Sequence, residues 1–506
     1  MSTDTRTAAT GVAGLDDVLR GGFPENHVYL IQGDPGSGKT TLGLQFLLEG
    51  RRRGESAMYI SLSETALEVR AIAQSHGWSV NDIAMFEMQS AEPQFSFEAE
   101  NTLFEPSEVE LREIMQKLVA EIDRVKAKRV VFDSLSELRL LAQHPLRYRR
   151  QILMLKQFFS GRQSTVLFLD DRTGSDDDRQ LQSIVHGVVL LEQVASSYGN
   201  ARRRLRVVKM RGLDPRGGYH DISIVKGGVR VFPRLVAAEH AEEYDHTALA
   251  SGVAELDTLL GGGIDRGTAT LVMGPAGSGK SSLVLRYALS AIERGEHVAL
   301  FAFDERIQTL LLRARGLGLG LEEAIASGRL RIKQIDPAEM GPGEFAASVN
   351  RAATEEQTRI IVIDSLNGYL NAMPEERALA LQLHELLGVL GQRGVSTFLV
   401  MAQHGILGPA MVSPIDVSYL ADTVVMLRFF EADGRVRKAM SVMKKRSGFH
   451  EDTIREFRMG PPHGISVGEP LTGFRGILTG VPNYVGTSET LMTSASARKP
   501  RPGGER

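Results

Sequence analysis

Two glycine-rich segments constrain this chain more than any other feature, because each has the spacing of a phosphate-binding loop. Both match G-x-x-x-x-G-K-[ST], in which main-chain N–H groups surround a nucleotide's phosphates, the lysine reaches the outer phosphates and the hydroxyl binds Mg²⁺. Lys39 and Lys280 are 241 residues apart (280 − 39 = 241). The predicted nucleotide contacts are Gly33, Asp34, Pro35, Gly36, Ser37, Gly38, Lys39, Thr40 and Thr41, and then Gly274, Pro275, Ala276, Gly277, Ser278, Gly279, Lys280, Ser281 and Ser282.

The sequence that precedes each loop repeats at the same offset. T-G-V-A-G-L-D-D-V-L-R-G-G at 10–22 returns as S-G-V-A-E-L-D-T-L-L-G-G-G at 251–263. A period this long indicates duplicated domains, since solenoid units recur roughly every 20 to 50 residues. A chain of 506 residues is also long enough for two hydrophobic cores. We predict an N-terminal domain over 1–238, a C-terminal domain over 239–486 and a disordered tail over 487–506.

The composition narrows the class of protein. With 42% hydrophobic residues, 24% charged residues and a formal net charge of −3, the chain has an ordinary globular composition. The absence of cysteine excludes disulfides, thiolate zinc sites and cysteine nucleophiles. We expect a cytoplasmic protein without a membrane association, since no apolar run approaches about 18 residues and the N-terminus lacks a signal-peptide pattern. The near-neutral charge argues against a dedicated nucleic-acid binder, although it does not exclude a local basic groove.

Short apolar runs alternate with helical patterns in both halves of the chain. Ser107 and Glu110 form an S-x-x-E capping box ahead of apolar residues at helical spacing, which predicts an amphipathic crossover helix. Apolar strands alternating with helices indicate an α/β fold with a mostly parallel sheet flanked by helices in each half. The predicted strands are 27–31, 57–62, 129–132, 165–169 and 188–191, followed by 269–273, 298–303, 360–363, 397–401 and 423–427.

An aspartate ends one apolar strand in each half, where a Mg²⁺ ion bound to a P-loop nucleotide needs a carboxylate near the loop's hydroxyl. V-V-F-D-S places Asp133 there in the first half, and I-V-I-D-S places Asp364 there in the second. A single aspartate after a strand is more often a turn or a helix cap. Because the pattern recurs behind both loops, we predict Mg²⁺ sites at Thr40 with Asp133 and at Ser281 with Asp364.

Hydrolysis also needs a group that orients or deprotonates the attacking water. The strand after each P-loop helix is followed by acidic residues, Glu64 in S-L-S-E-T and Asp304 with Glu305 in A-F-D-E-R. Glu64 and Glu305 share the offset of the loops (305 − 64 = 241). We predict that these three acids are catalytic; the alternative is that they cap the helices that follow, since acids suit a helix N-terminus.

A K-x-R motif lies on a late strand of each half, with Lys209 and Arg211 in the first and Lys444 and Arg446 in the second. Cations stabilise the charge that develops on a transferred phosphoryl group, and a neighbouring subunit often supplies them. One such motif means nothing, because surface lysines and arginines are abundant. Two, each following its own P-loop at a similar distance, predict contacts to a neighbour's nucleotide and hence a ring.

Together these residues resemble the circadian clock KaiC family, two-lobed members of the RecA-like ATPase superfamily. The resemblance covers about 10–484 and includes R-R-R-L-R-V-V-K-M-R-G at 202–212, D-T-V-V-M-L at 422–427 and G-F-H-E-D-T-I-R-E-F at 448–457. It implies two tandem RecA-like domains in a hexameric double ring, with ATP and Mg²⁺ between subunits. The N-terminal ring would be a slow ATPase and the C-terminal ring a Ser/Thr autokinase and autophosphatase. A KaiB-like or other signalling protein would be the partner.

The chain departs from the family pattern at several positions. Two adjacent glutamates of the family's first lobe correspond to Ser63 and Glu64, so one acid remains there. Asp304 takes the position usually credited as the base, with a side chain one methylene shorter than glutamate. The family's phosphorylated Ser-Thr pair aligns with Ser418 and Tyr419; the alternative is that these are packing residues. The C-terminal tail has no obvious match to the family's regulatory extension.

Two other functions stay open from the sequence. In a DNA repair or recombination ATPase of the same superfamily, Arg202, Arg203, Arg204 and Arg206 would contact phosphates in a central channel. An arginine cluster on a strand is, however, more often a solvated hairpin. In a nucleotide-locked scaffold that hardly turns over, Ser63 would account for a silent N-terminal lobe. Asp304 and Glu305 argue against that interpretation for the other lobe.

Overall fold

A computed structural model describes residues 6–88, 106–172, 176–195, 199–240, 242–371, 379–403, 417–461, 464–478 and 483–485, with only the main chain given for 106–114, 176–178 and 371. The chain divides into two compact units, Met1–Arg234 and Leu235–Arg506. The predicted tail, 487–506, lies outside the described residues, as do the side chains of the predicted capping box at Ser107 and Glu110.

The first unit contains one large sheet and a two-stranded ribbon. Its helices are α1 Leu15–Val18, α2 Lys39–Arg52, α3 Ala66–Ser75, α4 Pro106–Val125, α5 Leu135–Ala142, α6 Pro145–Gly161 and α7 Asp176–Ile184. Its strands are β1 Thr7–Ala8, β2 Phe23–Pro24, β3 Val28–Gly33, β4 Ala57–Ser61, β5 Ala84–Glu87, β6 Arg129–Asp133, β7 Thr165–Asp171, β8 Gly187–Val194, β9 Arg202–Met210, β10 His220–Val225 and β11 Gly228–Phe232.

The second unit repeats this plan and begins with a 3₁₀ turn at Ala237–Glu239. Its helices are α8 Ala254–Leu259, α9 Lys280–Glu293, α10 Ile307–Gly316, α11 Leu321–Ala326, α12 Pro342–Thr354, α13 Leu366–Asn371 and α14 Leu379–Gln392. Its strands are β12 Ala248–Leu249, β13 Ile264–Asp265, β14 Ala269–Gly274, β15 His297–Ala302, β16 Leu330–Gln334, β17 Thr358–Asp364, β18 Ser396–Ala402, β19 Thr423–Ala432, β20 Arg435–Lys445, β21 Arg455–Gly460, β22 Gly464–Pro470, β23 Phe474–Arg475 and β24 Asn483–Tyr484.

Both large sheets have nine strands in the same spatial order. The first runs β11-β10-β9-β8-β3-β7-β6-β4-β5 and the second β22-β21-β20-β19-β14-β18-β17-β15-β16. Six consecutive strands of each sheet, from β8 to β5 and from β19 to β16, are parallel, and the other three are antiparallel. This arrangement confirms the predicted α/β fold of two mostly parallel sheets flanked by helices, and all ten predicted strands are present. Of the antiparallel strands, the sequence predicted one late strand in each half, at the K-x-R motifs that fall at the ends of β9 and β20. The other antiparallel strands and the edge strands β5 and β16 were not predicted.

The core lies on both faces of each sheet, which explains why the central strands are almost continuously apolar. On β3, Tyr29 and Ile31 pack into the cluster with α2 and α3, while Val28 and Leu30 pack into the cluster with α5 and α6. The P-loop strand is therefore buried on both sides. Its end, where the loop begins, is fixed from both faces of the sheet.

Arg129 is a charged side chain inside the first core. It begins β6 and is only 1% exposed. Its guanidinium donates to the carbonyls of Ala9 and Phe46, lies 4.7 Å from the centroid of the Phe46 ring and pairs with Glu55. A buried cation is tolerated here because carbonyls and a carboxylate surround it.

We therefore expect Arg129→Met to lower the free energy of unfolding of the first unit by about 2–4 kcal/mol, because it leaves buried carbonyls and a carboxylate without their donor. Urea unfolding followed by the fluorescence of Trp78, the single tryptophan of the chain, would measure the change. The control is Arg124→Met, since Arg124 is 71% exposed and pairs with Glu121 on the helix surface. That control should cost less than about 1 kcal/mol. Equal costs for the two variants would contradict the structural role of Arg129.

Two histidines meet where β3 and β8 begin. The rings of His27 and His186 have centroids 3.7 Å apart, and His186 Nε2 lies 2.9 Å from the carbonyl oxygen of Arg211. Burial, and to a smaller extent the neighbouring His27, lower the pKa of His186 to about 4. His186 is thus neutral in the folded protein at neutral pH.

The lowered pKa of His186 predicts that the free energy of unfolding decreases in acid. Below the ordinary histidine pKa of about 6.5 the unfolded chain gains a proton at this position that the folded protein takes up only near pH 4. The free energy of unfolding should therefore fall as the pH drops from about 6.5 to about 4, by about 1–3 kcal/mol from His186 alone. In His186→Asn this part of the loss should disappear, as measured by Trp78-detected urea unfolding between pH 4 and 7.5. The exposed His144 of the same unit, replaced by asparagine, which also suits its N-cap position, is the control. A wild-type pH profile in His186→Asn would contradict the prediction.

Candidate nucleotide-binding sites

Each P-loop joins the end of the central strand to the start of a long helix, β3 to α2 and β14 to α9. The residue before each helix is a glycine in the left-handed region, Gly38 with φ 101° and Gly279 with φ 107°. A Cβ on Gly38 would lie 2.9 Å from Ile224 Cδ1, and one on Gly279 would lie 2.6 Å from Phe457 Cε1. Only glycine fits both the backbone and the space at these positions.

The loops have the properties of an anion site. The first N–H groups of α2 and α9 point out of the helix toward the loop, where a phosphate accepts them and meets the positive end of the helix dipole. The hydroxyls of Ser37 and Ser278 are buried inside the two loops and have no hydrogen-bond partner within the described parts of the chain. Both loops therefore offer unused donors to a phosphate.

In the first unit the loop hydroxyl and the strand aspartate are in direct contact. Thr40 Oγ1 donates to Asp133 Oδ2 at 2.9 Å, and the hydroxyl of Tyr59 donates to the same oxygen. Asp133 is 7% exposed, and burial raises its pKa. The hydroxyl and the carboxylate are oxygen ligands of the kind that Mg²⁺ accepts, and they lie beside the loop that would hold the phosphates.

The second unit reproduces this pair. Ser281 hydrogen-bonds to Asp364, whose pKa is raised by burial and lowered in part by that hydrogen bond. A cis peptide bond follows the aspartate in both units, between Asp133 and Ser134 and between Asp364 and Ser365. The predicted metal ligands are thus brought together in the same way at both loops.

The two P-loop lysines have different surroundings. Lys39 Nζ donates to the carbonyls of Gly33 at 2.8 Å and Asp34 at 3.0 Å, and pairs with Asp171 Oδ1 at 2.8 Å. Lys280 Nζ donates to the carbonyl of Pro275 at 2.8 Å, and burial lowers the pKa of Lys280 to about 8. Sequence reasoning did not identify Asp171, although two consecutive aspartates at the end of a strand were a visible signal.

Glu64 lies at the same edge of the first sheet as Asp133. Ser61 fixes its backbone, since the Ser61 hydroxyl donates to the Glu64 carbonyl at 2.6 Å and accepts from its N–H at 3.0 Å. Its Oε2 is buried without a hydrogen-bond partner in the described part of the chain. Burial, then the charge of Asp133, raise the pKa of Glu64. The helix-cap interpretation is wrong for Glu64, because the residue that caps α3 is Thr65, in a capping box with Glu68.

The acids of the second unit have partners. Asp304 accepts a hydrogen bond from the hydroxyl of Ser365. Both oxygens of Glu305 are bound by Arg313, at 2.6 and 3.2 Å, and Arg313 also lies 3.4 Å from the hydroxyl of Ser282. The corresponding position in the first unit is Ile72 (313 − 241 = 72), so Glu64 has no such guanidinium. The sequence repeat did not reveal Arg313, because its counterpart is apolar.

The K-x-R pairs hold the turn that precedes β8 and β19. Lys209 Nζ donates to the carbonyls of Gln182 and Val185, and Arg211 donates to that of Ser183. The second unit repeats the three contacts, from Lys444 to Ser418 and Ala421 and from Arg446 to Tyr419, with acceptors 236 residues later (418 − 182 = 236) and donors 235 residues later (444 − 209 = 235). Cations at a helix C-terminus or turn suit the negative end of the peptide dipoles. The proposed contact to a neighbour's nucleotide stays a prediction.

The two candidate phosphoacceptors lie on this turn. Ser418 is half-buried, and Tyr419 is 56% exposed. Tyr419 is thus not part of the core of its unit, and the choice between phosphoacceptor and packing residue stays a prediction for both positions.

The arginine cluster of β9 is engaged within the chain. Arg204 pairs with Glu192 at 2.8 Å and lies 4.1 Å from the centroid of the Tyr219 ring, which Arg206 also approaches. Arg203 Nε donates to the carbonyl of Gly36 in the P-loop at 3.0 Å. These contacts give the cluster a structural function without a nucleic acid.

Within the described residues, no helix has the length and apolar character needed to cross a membrane.

Comparison with known proteins agrees with the repeat and with both loops. The family model described as "ATPase: KaiC" matches the chain twice, over residues 8–236 and 249–472. The "Circadian clock protein KaiC3" of Synechocystis sp. is 26% identical over 495 residues, which cover 96% of this chain and 96% of that protein. Two proteins named "Circadian clock oscillator protein KaiC" are similar at the same level. That of a Prochlorococcus marinus strain is 27% identical over 497 residues (95% of this chain, 96% of that protein). That of Parathermosynechococcus lividus is 25% identical over 490 residues (95% and 88%).

The matched ranges contain both P-loops, both hydroxyl–aspartate pairs and both K-x-R motifs. They also coincide with the two sheets of identical strand order. The chain is a tandem pair of RecA-like ATP-binding domains and belongs to the KaiC ATPase family.

Proposed function

We propose that this protein hydrolyses ATP at both P-loops and phosphorylates itself in its C-terminal domain, as a nucleotide-driven conformational or signalling switch. The observation that carries the proposal is the hydrogen bond from the loop hydroxyl to a buried aspartate, Thr40 to Asp133 and Ser281 to Asp364, beside unused loop donors. The names of the relatives, all circadian clock proteins, do not favour the DNA repair alternative.

Thr40 with Asp133 and Ser281 with Asp364 are the proposed Mg²⁺ ligands. Within the described residues no group of three or more His, Asp and Glu side chains is placed to hold a metal ion. That is consistent with Mg²⁺, which is usually held by one or two carboxylates together with phosphates and water. When bound, the ion would neutralise charge on the phosphates. The lysines, Lys39 and Lys280, would contact the outer phosphates.

The proposed proton acceptor of the first site is Glu64. Its carboxylate lies near Asp133, is partly buried and has a raised pKa, properties that suit a general base near neutral pH. In the second site Glu305 is bound on both oxygens by Arg313. We therefore assign the proton acceptor there to Asp304, with Glu305 and Arg313 as groups that orient the loop. A first lobe that retains Glu64 is a working ATPase and not a locked scaffold.

The proposed phosphoacceptor is Ser418, with Tyr419 as the second candidate. Both lie on the turn held by Lys444 and Arg446, so two cationic side chains that suit a phosphoryl group lie beside them. We propose a homohexameric double ring in the cytoplasm, in which Lys209, Arg211, Lys444 and Arg446 reach the ATP of the adjacent subunit. The state of the ring would be read by a KaiB-like or other signalling protein.

Hydrolysis by each site can be tested separately. In a Lys280→Ala background, Glu64→Gln should lower ATP turnover of the first site by about 10²–10⁴-fold while ATP still binds, because the water loses its proton acceptor. In a Lys39→Ala background, Asp304→Asn should have the larger effect and Glu305→Gln the smaller. Phosphate release at saturating ATP measures turnover, and calorimetric titration measures binding. The control is Glu121→Gln on the surface of α4; unchanged turnover in Glu64→Gln would contradict the assignment.

Autophosphorylation can be tested by mass spectrometry of the protein after incubation with ATP and Mg²⁺. We expect one phosphate on the peptide that contains Ser418 and Tyr419, lost in Ser418→Ala and retained in Tyr419→Phe. Lys280→Ala should abolish it, because the second site provides the phosphoryl group, whereas Lys39→Ala should leave it detectable. Complete absence of phosphate from the wild-type peptide would overturn the autokinase assignment, and retention in Ser418→Ala with loss in Tyr419→Phe would move the acceptor to the tyrosine.

A further inference from the structure

The P-loop lysine of the first unit is held by a carboxylate that the second unit lacks. Asp171 ends β7, and its Cα pairs in register with Gly33, the first residue of the loop. This places its side chain beside the loop, where Asp171 Oδ1 lies 2.8 Å from Lys39 Nζ. Lys39 is 10% exposed and Asp171 is 45% exposed, so the ion pair lies at the mouth of the site.

The same sheet register identifies the counterpart of Asp171 in the second unit. There Gly274 pairs with Ala402, the last residue of β18. Alanine offers no charge, and Lys280 donates instead to the carbonyl of Pro275. The two sites therefore differ by one carboxylate at an otherwise equivalent position.

The carboxylate of Asp171 competes with a nucleotide phosphate for the ammonium group of Lys39. A lysine ammonium has three protons to donate, and in the first unit Gly33 O, Asp34 O and Asp171 Oδ1 receive them. A γ-phosphate that binds Lys39 must displace at least one of these acceptors. It also brings further negative charge close to Asp171, and like charges at short distance repel.

The competition affects ATP and ADP unequally. ADP lacks the γ-phosphate, so less negative charge reaches the mouth of the site and the Lys39–Asp171 pair can persist. ATP must either break the Lys39–Asp171 ion pair or share the Lys39 ammonium group with the Asp171 carboxylate. The carboxylate therefore costs more binding free energy for ATP than for ADP.

We propose that Asp171 determines the nucleotide preference of the first site, shifting it toward ADP relative to the second site. The proposal rests on the nucleotide binding proposed for the first P-loop. Asp171 here is a specificity-determining residue, and its removal should strengthen ATP binding without a matching gain for ADP. In the second unit the register position of Asp171 is taken by an uncharged alanine, which does not oppose the γ-phosphate in this way.

The direct test compares two affinities in one protein. In the full chain with Lys280→Ala, which leaves only the first site, calorimetric titration with Mg²⁺ would give the Kd for ADP and for the β,γ-imido analogue of ATP. Asp171→Asn should raise the preference for the ATP analogue over ADP by about 2- to 10-fold, the range expected for a partly exposed ion pair plus one removed like charge. The Kd for ADP should change less than the Kd for the ATP analogue. Asp214→Asn, in a loop of the same unit, is the charge-matched control and should leave the preference unchanged.

A reciprocal variant keeps the test decisive if Asp171→Asn does not fold. In the full chain with Lys39→Ala, Ala402→Asp installs the carboxylate in the second site and should lower the preference for the ATP analogue by a similar factor. An unchanged preference in both variants, or equal gains for both nucleotides in Asp171→Asn, would overturn the proposal. If Lys280→Ala protein bound neither nucleotide while Lys39→Ala protein did, the proposed function of the first site would itself be wrong. That outcome differs from a bound but unshifted nucleotide, which refutes the specificity role alone.

Discussion

A single hydrogen bond between a loop hydroxyl and a strand carboxylate organises each half of the molecule. It forms because β3 and β6, and likewise β14 and β17, run parallel with one strand between them, so that their carboxyl ends meet at the same edge of the sheet. The hydroxyl of Thr40 or Ser281 begins a helix, and the aspartate ends a buried strand. The bond thus ties the start of the P-loop helix to the sheet. The P-loop lysine and the acidic residues of each unit lie around this hydrogen bond.

The two sites share this hydroxyl–aspartate hydrogen bond and differ in the charged side chains around it. Around the first loop the carboxylates of Glu64 and Asp171 join that of Asp133, and Lys39 is paired with one of them. Around the second loop the carboxylates of Asp304 and Glu305 join that of Asp364, and Arg313 pairs with Glu305. Burial raises the pKa of Asp364, and Arg313 opposes that rise only in part. The first site is therefore the more negative of the two. A triphosphate bound as proposed would therefore meet more electrostatic repulsion in the first site.

The parts of the structure that follow from local pattern were predicted from the sequence. Apolar runs and glycine spacing located ten of the twelve described parallel strands, both P-loops and both aspartates, because a buried parallel strand and a phosphate loop each need particular residues in consecutive positions. The K-x-R motifs indicated a late strand at β9 and at β20, but β10, β11 and their counterparts were missed, since half-exposed strands such as β10 mix charges with apolar side chains. Arg313 and Asp171 were missed for another reason. Their importance lies in a partner on a distant element, and sequence spacing does not show which side chains meet.

The turn held by the K-x-R pairs has similar main-chain contacts in the two units but different side chains. Three carbonyl contacts of the K-x-R cations to this turn are shared by both units, so the cations are similarly placed whether or not the turn carries an acceptor. What differs is the side chains at two positions. Gln182 stands where the second unit has Ser418 and cannot accept a phosphoryl group through a hydroxyl. Ser183 stands opposite Tyr419, but its hydroxyl donates at 2.6 Å to the carbonyl of Gln180 in its own helix. A phosphoryl acceptor in the second unit alone therefore requires no difference in fold between the units, only the replacement of two side chains on a shared turn.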